Sequence, residues 1–190
     1  MKILGIVGSP RKGGNTEILV EEALAAAREA GAQTEVVLLA DKKIAGYDGC
    51  NGCFETGVCK IKDDMQSIYQ QLEAADAIIF GSPVYFGGVT AQAKAVIDRT
   101  YLFLRDRRLR GKVVAPIVAL RRVGGGQTRT LLYGYFMAQG MIVTRGAIGY
   151  GRQKGEVREG VGGAHGLSAL EEARNAGKEV VQMLQRLSRA

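Results

Sequence analysis

All three cysteines of the chain stand in one short stretch. Cys50, Cys53 and Cys59, in GYDGCNGCFETGVC (46–59), form a C-x2-C-x5-C run. Thiolates at this spacing suit zinc or an iron–sulfur cluster, yet both ordinarily want four ligands. The single histidine, His165, stands far along the chain and reads as a polar loop residue near the start of the last helix. A Cys50–Cys53 disulfide is a further reading, disfavoured in a reducing compartment. The plain alternative is a structural flap without metal.

Three other stretches carry a different chemistry. GSPRKGGNT (8–16) offers small residues, a run of backbone N–H groups and the start of a helix, which together favour an anion. Ser9, Asn15 and Thr16 add side-chain donors, and Arg11 and Lys12 add charge. Gly14-Asn15 stands where a Walker A loop has Lys-Ser/Thr, and the stretch is not G-x-G-x-x-G either. The competing reading is an ordinary strand-to-helix turn with surface charges. GSPVYFGG (81–88) presents Tyr85 and Phe86 between glycines, a shelf for a planar ring; the same two aromatics also suit a cap on the core. RRVGGGQT (121–128) sets Gly124, Gly125 and Gly126 before a helix, where they serve as free backbone donors or as a flexible connection. A phosphate cradle, an aromatic shelf and a polar backbone edge fit a flat mononucleotide, and flavin mononucleotide (FMN) fits best. A bound flavin explains the lack of a visible acid–base pair, Ser–His–Asp set or two-metal carboxylate cluster. Arg121 and Arg122 are candidates to set positive charge beside such a ring, or a solvated surface.

These loops need elements to hold them. Strands are expected at 2–9, 34–39, 75–82, 112–120 and 140–149, and helices at 16–31, 63–75, 90–104 and 127–140. A last helix follows, with apolar residues from Leu167 to Leu187 at helical spacing. Apolar strands alternating with helices predict an α/β fold whose parallel sheet is covered on both faces. The three loops then fall at the carboxyl ends of strands one, three and four, where ligands bind in such sheets. Pro116 lacks a ladder donor inside strand four and predicts a bulge there. The Gly-rich stretch 149–166 reads as a functional or mobile loop. One domain spanning 1–190 is expected, without linker or repeat.

Composition narrows the classes. The formal charge is +7, and RDRRLRGK (105–112) holds five of the 26 basic residues. Without aromatic interleaving or a fold signature, a solvated helix end or an anionic-partner surface explains this run better than nucleic acid. No apolar run has membrane-spanning length, and the N-terminal apolar run is too short for a signal peptide. A cytoplasmic location is the expectation.

GSPRKGGNT, the cysteine loop ending KIKDDM (60–65) and ADAIIFGSPVYFGGVTAQAKAVIDR (75–99) resemble the iron–sulfur flavoprotein branch of the NADPH-dependent FMN reductases. The likeness runs through residues 1 to about 150, in order, and is most specific over 81–99. It implies a flavodoxin-like three-layer sandwich, with a five-stranded parallel sheet in order 2-1-3-4-5. It also implies bound FMN, NAD(P)H as co-substrate and a homodimer or homotetramer. Ser9, Arg11, Asn15 and Thr16 would sit at the phosphate, Pro83, Val84, Tyr85, Phe86 and Gly87 along the ring, and Gly124, Gly125 and Gly126 at its edge. The branch's cluster pattern is C-x2-C-x2-C-x5-C, whose last three positions fall at Cys50, Cys53 and Cys59. The first falls at Tyr47, so a [4Fe–4S] cluster lacks one thiolate, and water, a Tyr47 phenolate, an Asp48 carboxylate or a [3Fe–4S] form would have to compensate. The implied activity is an FMN-dependent oxidoreductase passing electrons from NAD(P)H to a quinone or other small acceptor. The alternatives are an iron–sulfur flavoprotein exchanging electrons with ferredoxin and, in another class, a non-enzymatic binder of nucleic acid or an anionic partner.

Overall fold

The apolar segments assemble into one parallel sheet in the computed structural model, which describes residues 1–159 and 166–189. Its strands are β1 (Lys2–Val7), β2 (Gln33–Leu38), β3 (Ala77–Pro83), β4 (Val113–Leu120), β5 (Ile142–Val143) and β6 (Ala147–Tyr150). The order is β2-β1-β3-β4-β5, with β6 also paired to β4. Between them run α1 (Asn15–Glu29), α2 (Cys53–Thr56), α3 (Met65–Ala74), α4 (Ala91–Arg99), α5 (Gly125–Ala138) and α6 (Ala169–Leu187). The flavodoxin-like order expected from the resemblance is present. His165 lies outside the described residues.

Alternation along the strands builds the three layers. Ile3, Val7, Ile79, Ala115 and Ile117 pack against α1 and α6, while Leu4, Ile6, Ile78, Phe80, Val114 and Val118 pack against α3, α4 and α5. All eight residues of β4 are buried. A buried Val or Ile contributes about 1.5–3 kcal/mol, and a one-residue slip would exchange the two faces, so the register is firmly set.

Three expectations need correction: the single strand at 140–149, the bulge at Pro116 in strand four and the helix at 90–104. The single strand foreseen at 140–149 is split, and the cause is Pro116. The Thr144 N–H donates to the Val114 carbonyl (2.9 Å); the next rung of a parallel ladder would run from residue 116 back to the Thr144 carbonyl, and proline has no N–H to give. β4 itself runs straight through Pro116, pairing it with Phe80. The irregularity falls on the partner strand instead, where Gly146 turns at φ +68 and a Cβ would collide with the Pro116 carbonyl. The helix foreseen at 90–104 stops at Arg99 and continues as a 3-10 turn, Thr100–Leu104. There the Thr100 hydroxyl donates to the Ile97 carbonyl (2.6 Å) and Gln139 Nε2 donates to the Thr100 carbonyl (3.1 Å), which displaces the α-helical ladder.

Candidate functional site

The loops after β1 and β3 are joined at their roots. The Gly8 N–H donates to the Gly81 carbonyl (2.7 Å), and the Thr90 hydroxyl donates to the Gly8 carbonyl. A Cβ on Gly8 would lie 2.7 Å from the Gly81 oxygen and 2.8 Å from the Ala93 Cβ, so this approach requires glycine. Thr90 also caps α4 by accepting from the Ala93 N–H (3.1 Å). Beyond the junction, buried Ser9 accepts from the Arg11 N–H through Oγ (3.1 Å), and Gly13 donates to the Glu17 carboxylate (2.6 Å). Helix α1 then begins after Gly14 with no side-chain cap. The first N–H groups of a helix have no intrahelical partner, and these belong to residues lining a cleft.

That cleft has a volume of about 260 Å³ and lies at the carboxyl ends of β1, β3 and β4. It brings together eight of the residues predicted from sequence: Ser9, Arg11, Asn15, Thr16, Pro83, Val84, Tyr85 and Arg121. The others fall outside its wall. Lys12 is turned away into an ion pair with Asp41. Phe86, at φ +49, is fully exposed on the tip of its loop, with Gly87 beside it. Gly124 is left-handed (φ +95) and touches the second loop instead: its Cβ position lies 3.0 Å from Val84 Cγ1 and 3.3 Å from the Gly87 Cα. Gly125 and Gly126 are already the first turn of α5, which starts before the expected Gln127. Three polar residues of the wall were missed, Arg152, Gln153 and Lys154, all from the Gly-rich stretch after β6. Arg11, Arg121, Arg152 and Lys154 line the cleft without an acidic neighbour in its wall, and none forms an ion pair among the described residues. Uncapped N–H groups and four cations suit a phosphate-bearing ligand.

The cysteine loop forms a separate pocket. Cys50, Cys53 and Cys59 share it with Tyr47, Asp48 and Arg99, in a space of about 10 Å³. All three cysteines are free thiols. Cys53 is buried in α2, and burial pushes its thiol up. Tyr47 lines the same pocket, its hydroxyl donating to Asn51 Oδ1 (2.8 Å) and its ring 5.3 Å from Tyr101. Desolvation, then the neighbouring Tyr101, pushes the Tyr47 phenol up, away from the phenolate a metal would want. Asp48 is tied to Lys60 (2.8 Å), and that bond holds its carboxyl down at about 2. Among the described residues no group of three His, Cys, Asp or Glu side chains is arranged to hold a metal ion. The donor set therefore does not fit a four-thiolate cluster. One anchor of the loop is Arg99, whose side chain is 1% exposed. It bonds Asp63 through both terminal nitrogens (2.8 and 3.2 Å) and donates to the Ala45 carbonyl (3.0 Å) and to Cys59 Sγ (3.4 Å). From sequence, Arg99 fell inside the helix expected at 90–104 and was given no role.

The model of the NADPH-dependent FMN reductase family matches residues 1–154. The chain belongs to that family. An iron–sulfur flavoprotein of Methanocaldococcus jannaschii is 41% identical over 97% of both chains. An NAD(P)H dehydrogenase (quinone) of Deinococcus radiodurans is 35% identical over 66% of this chain and 64% of its own. A WrbA-like flavodoxin of Agrobacterium tumefaciens superposes with a TM-score of 0.66 at 18% identity, over 97% of each chain, which is a likeness of fold. As a member of the NADPH-dependent FMN reductase family, the chain is an FMN-dependent oxidoreductase, and its cleft stands where such a sheet binds ligands.

Proposed function

We propose that the cleft holds FMN and that the chain uses NAD(P)H to reduce a quinone or another small acceptor. The observation that carries this reading is the meeting, in one cleft, of an uncapped helix start, four cations that form no ion pair among the described residues, and the Pro83–Tyr85 shelf. The phosphate belongs with Ser9, Arg11, Thr16 and the first N–H groups of α1; the ring belongs along Pro83, Val84 and Tyr85, with Arg121 at its polar edge. Bound flavin supplies hydride and single-electron chemistry. The protein's own residues bind, orient and exclude water, and no side chain need act as acid or base.

Fully exposed Phe86 and the exposed Val123 stand on the two loops at the rim, which supports a homodimer or homotetramer covering that side. Three free thiols suit a reducing cytoplasm. No helix among the described residues is long and apolar enough to cross a membrane.

A second reading is favoured by the name of the Methanocaldococcus relative and by the three cysteines sharing one pocket with Tyr47. It makes the chain an electron carrier for an acidic partner such as ferredoxin, and it needs a cluster ligand this loop does not offer. Anaerobic addition of NADPH or NADH separates the two. Rapid bleaching of the flavin absorbance is the expected result. Unchanged absorbance with either nucleotide, followed by bleaching with reduced ferredoxin, would replace the first reading by the second.

A further inference from the structure

Asn15 has the sequence position of a phosphate donor, but its side-chain amide is engaged elsewhere. Nδ2 donates to the Gln153 carbonyl (2.9 Å), and Oδ1 accepts from the Gly155 N–H (2.8 Å). One amide thus grips the loop 151–155 at two points, from the far end of the chain. The loop is fixed on its other flanks as well. The Gly151 N–H donates to the Leu120 carbonyl (2.9 Å), and Val157, just beyond, is completely buried. Gly151 passes so close that a Cβ there would collide with Asn15 Nδ2. The result is a defined place for two cations. Arg152 and Lys154 enter the cleft wall, and Lys154 Nζ lies 3.5 Å from the Cβ position of Gly13, over the loop that follows β1.

We propose that Asn15 is a positioning residue: it latches the loop 151–155 so that Arg152 and Lys154 complete the site for the phosphate of FMN. The inference rests on the FMN reading above. The physical reason is preorganisation. Two long cationic side chains on a free loop must lose backbone and rotamer freedom when they meet an anion, and a loop already fixed in place avoids much of that loss. Charge-assisted bonds to phosphate are the strong ones, so the benefit is selective for a ligand that carries one.

Riboflavin, which is FMN without its phosphate, supplies the control. Affinities for FMN and riboflavin are measured by flavin fluorescence on the full chain freed of flavin, for the unaltered protein, Asn15→Ala, the double variant Arg152→Ala/Lys154→Ala, and the triple variant. The double variant is expected to lose FMN affinity by about tenfold or more, with riboflavin affinity unchanged. Asn15→Ala is expected to show the same phosphate-selective loss, and the triple variant to be no worse than the double. Gly151→Ala, which presses on the latch from the loop side, should reproduce the effect without touching Asn15. Unfolding midpoints confirm that each variant is folded.

Equal loss of both flavins in Asn15→Ala would overturn the proposal, because a general structural role predicts it. Multiplied losses in the triple variant would also overturn it, by showing that Asn15 and the cations act independently. An unchanged FMN affinity in the double variant would remove the two cations from the site. If the unaltered chain binds neither flavin, the FMN reading itself falls and takes this inference with it.

Discussion

Replacing Arg99 by methionine should destabilise the protein while leaving the cleft intact. The side chain is 1% exposed, and its partner Asp63 is 12% exposed. Removing one member of a buried pair costs about 3–5 kcal/mol, mainly because the other charge is stranded. Asp63 retains two donors, the N–H groups of Ala45 (2.8 Å) and Met65 (3.1 Å), which places the cost near the lower end, about 3 kcal/mol. Methionine keeps most of the volume, so a cavity adds little. At this chain length each kcal/mol moves the melting midpoint by roughly 2–4 °C, giving a fall of about 6–12 °C. Thermal unfolding followed by circular dichroism reads it. Arg99 does not line the cleft, so FMN affinity well below the midpoint should not change. A midpoint within about 2 °C of the unaltered protein would refute the role given to Arg99, and a lost FMN affinity would refute the separation of the two sites.

The same pair gives a pH signature. Burial alone would push the Asp63 carboxyl up, but Arg99 and the two N–H donors outweigh it and hold it below the ordinary carboxylate range. Its stabilisation is therefore complete above the unfolded carboxylate pKa and is lost as pH falls through the lowered folded value. Acid unfolding of Arg99→Met, compared with the unaltered chain by denaturant titration at stepped pH, should show a shallower loss across that window. Gly8→Ala should cost about 1–3 kcal/mol by overpacking and weaken FMN binding, since it forces apart the roots of two cleft loops; urea unfolding and flavin titration check both. Tyr47→Cys should gain iron and acid-labile sulfide when isolated anaerobically, because position 47 lines the same pocket as the three cysteines; iron content equal to that of the unaltered chain would count against any cluster role for the loop.

Much of this was legible because the loops advertise themselves. Gly8, Gly81 and Pro83 punctuate apolar strands, and the strand–helix alternation alone places them on one edge of a parallel sheet. The six-stranded result differs from the expected five through one residue. Pro116 signals a broken ladder, but sequence does not say which strand yields, and here the partner yields because β4 is buried throughout. What was hidden depends on contacts between distant positions. Arg152 and Lys154 enter the cleft because Asn15 and Leu120 bond their loop. Arg99 matters because Asp63, 36 positions earlier, meets it in the fold. Lys12 shows the reverse: its position promised a ligand contact, and Asp41 draws it aside.

The most direct test of the central claim is anaerobic titration of the purified, flavin-loaded chain with NADPH, followed by identification of the released flavin. The prediction is one FMN per chain, bleached on mixing and restored when a quinone is added. A chain that carries no FMN and takes up none on titration would contradict it.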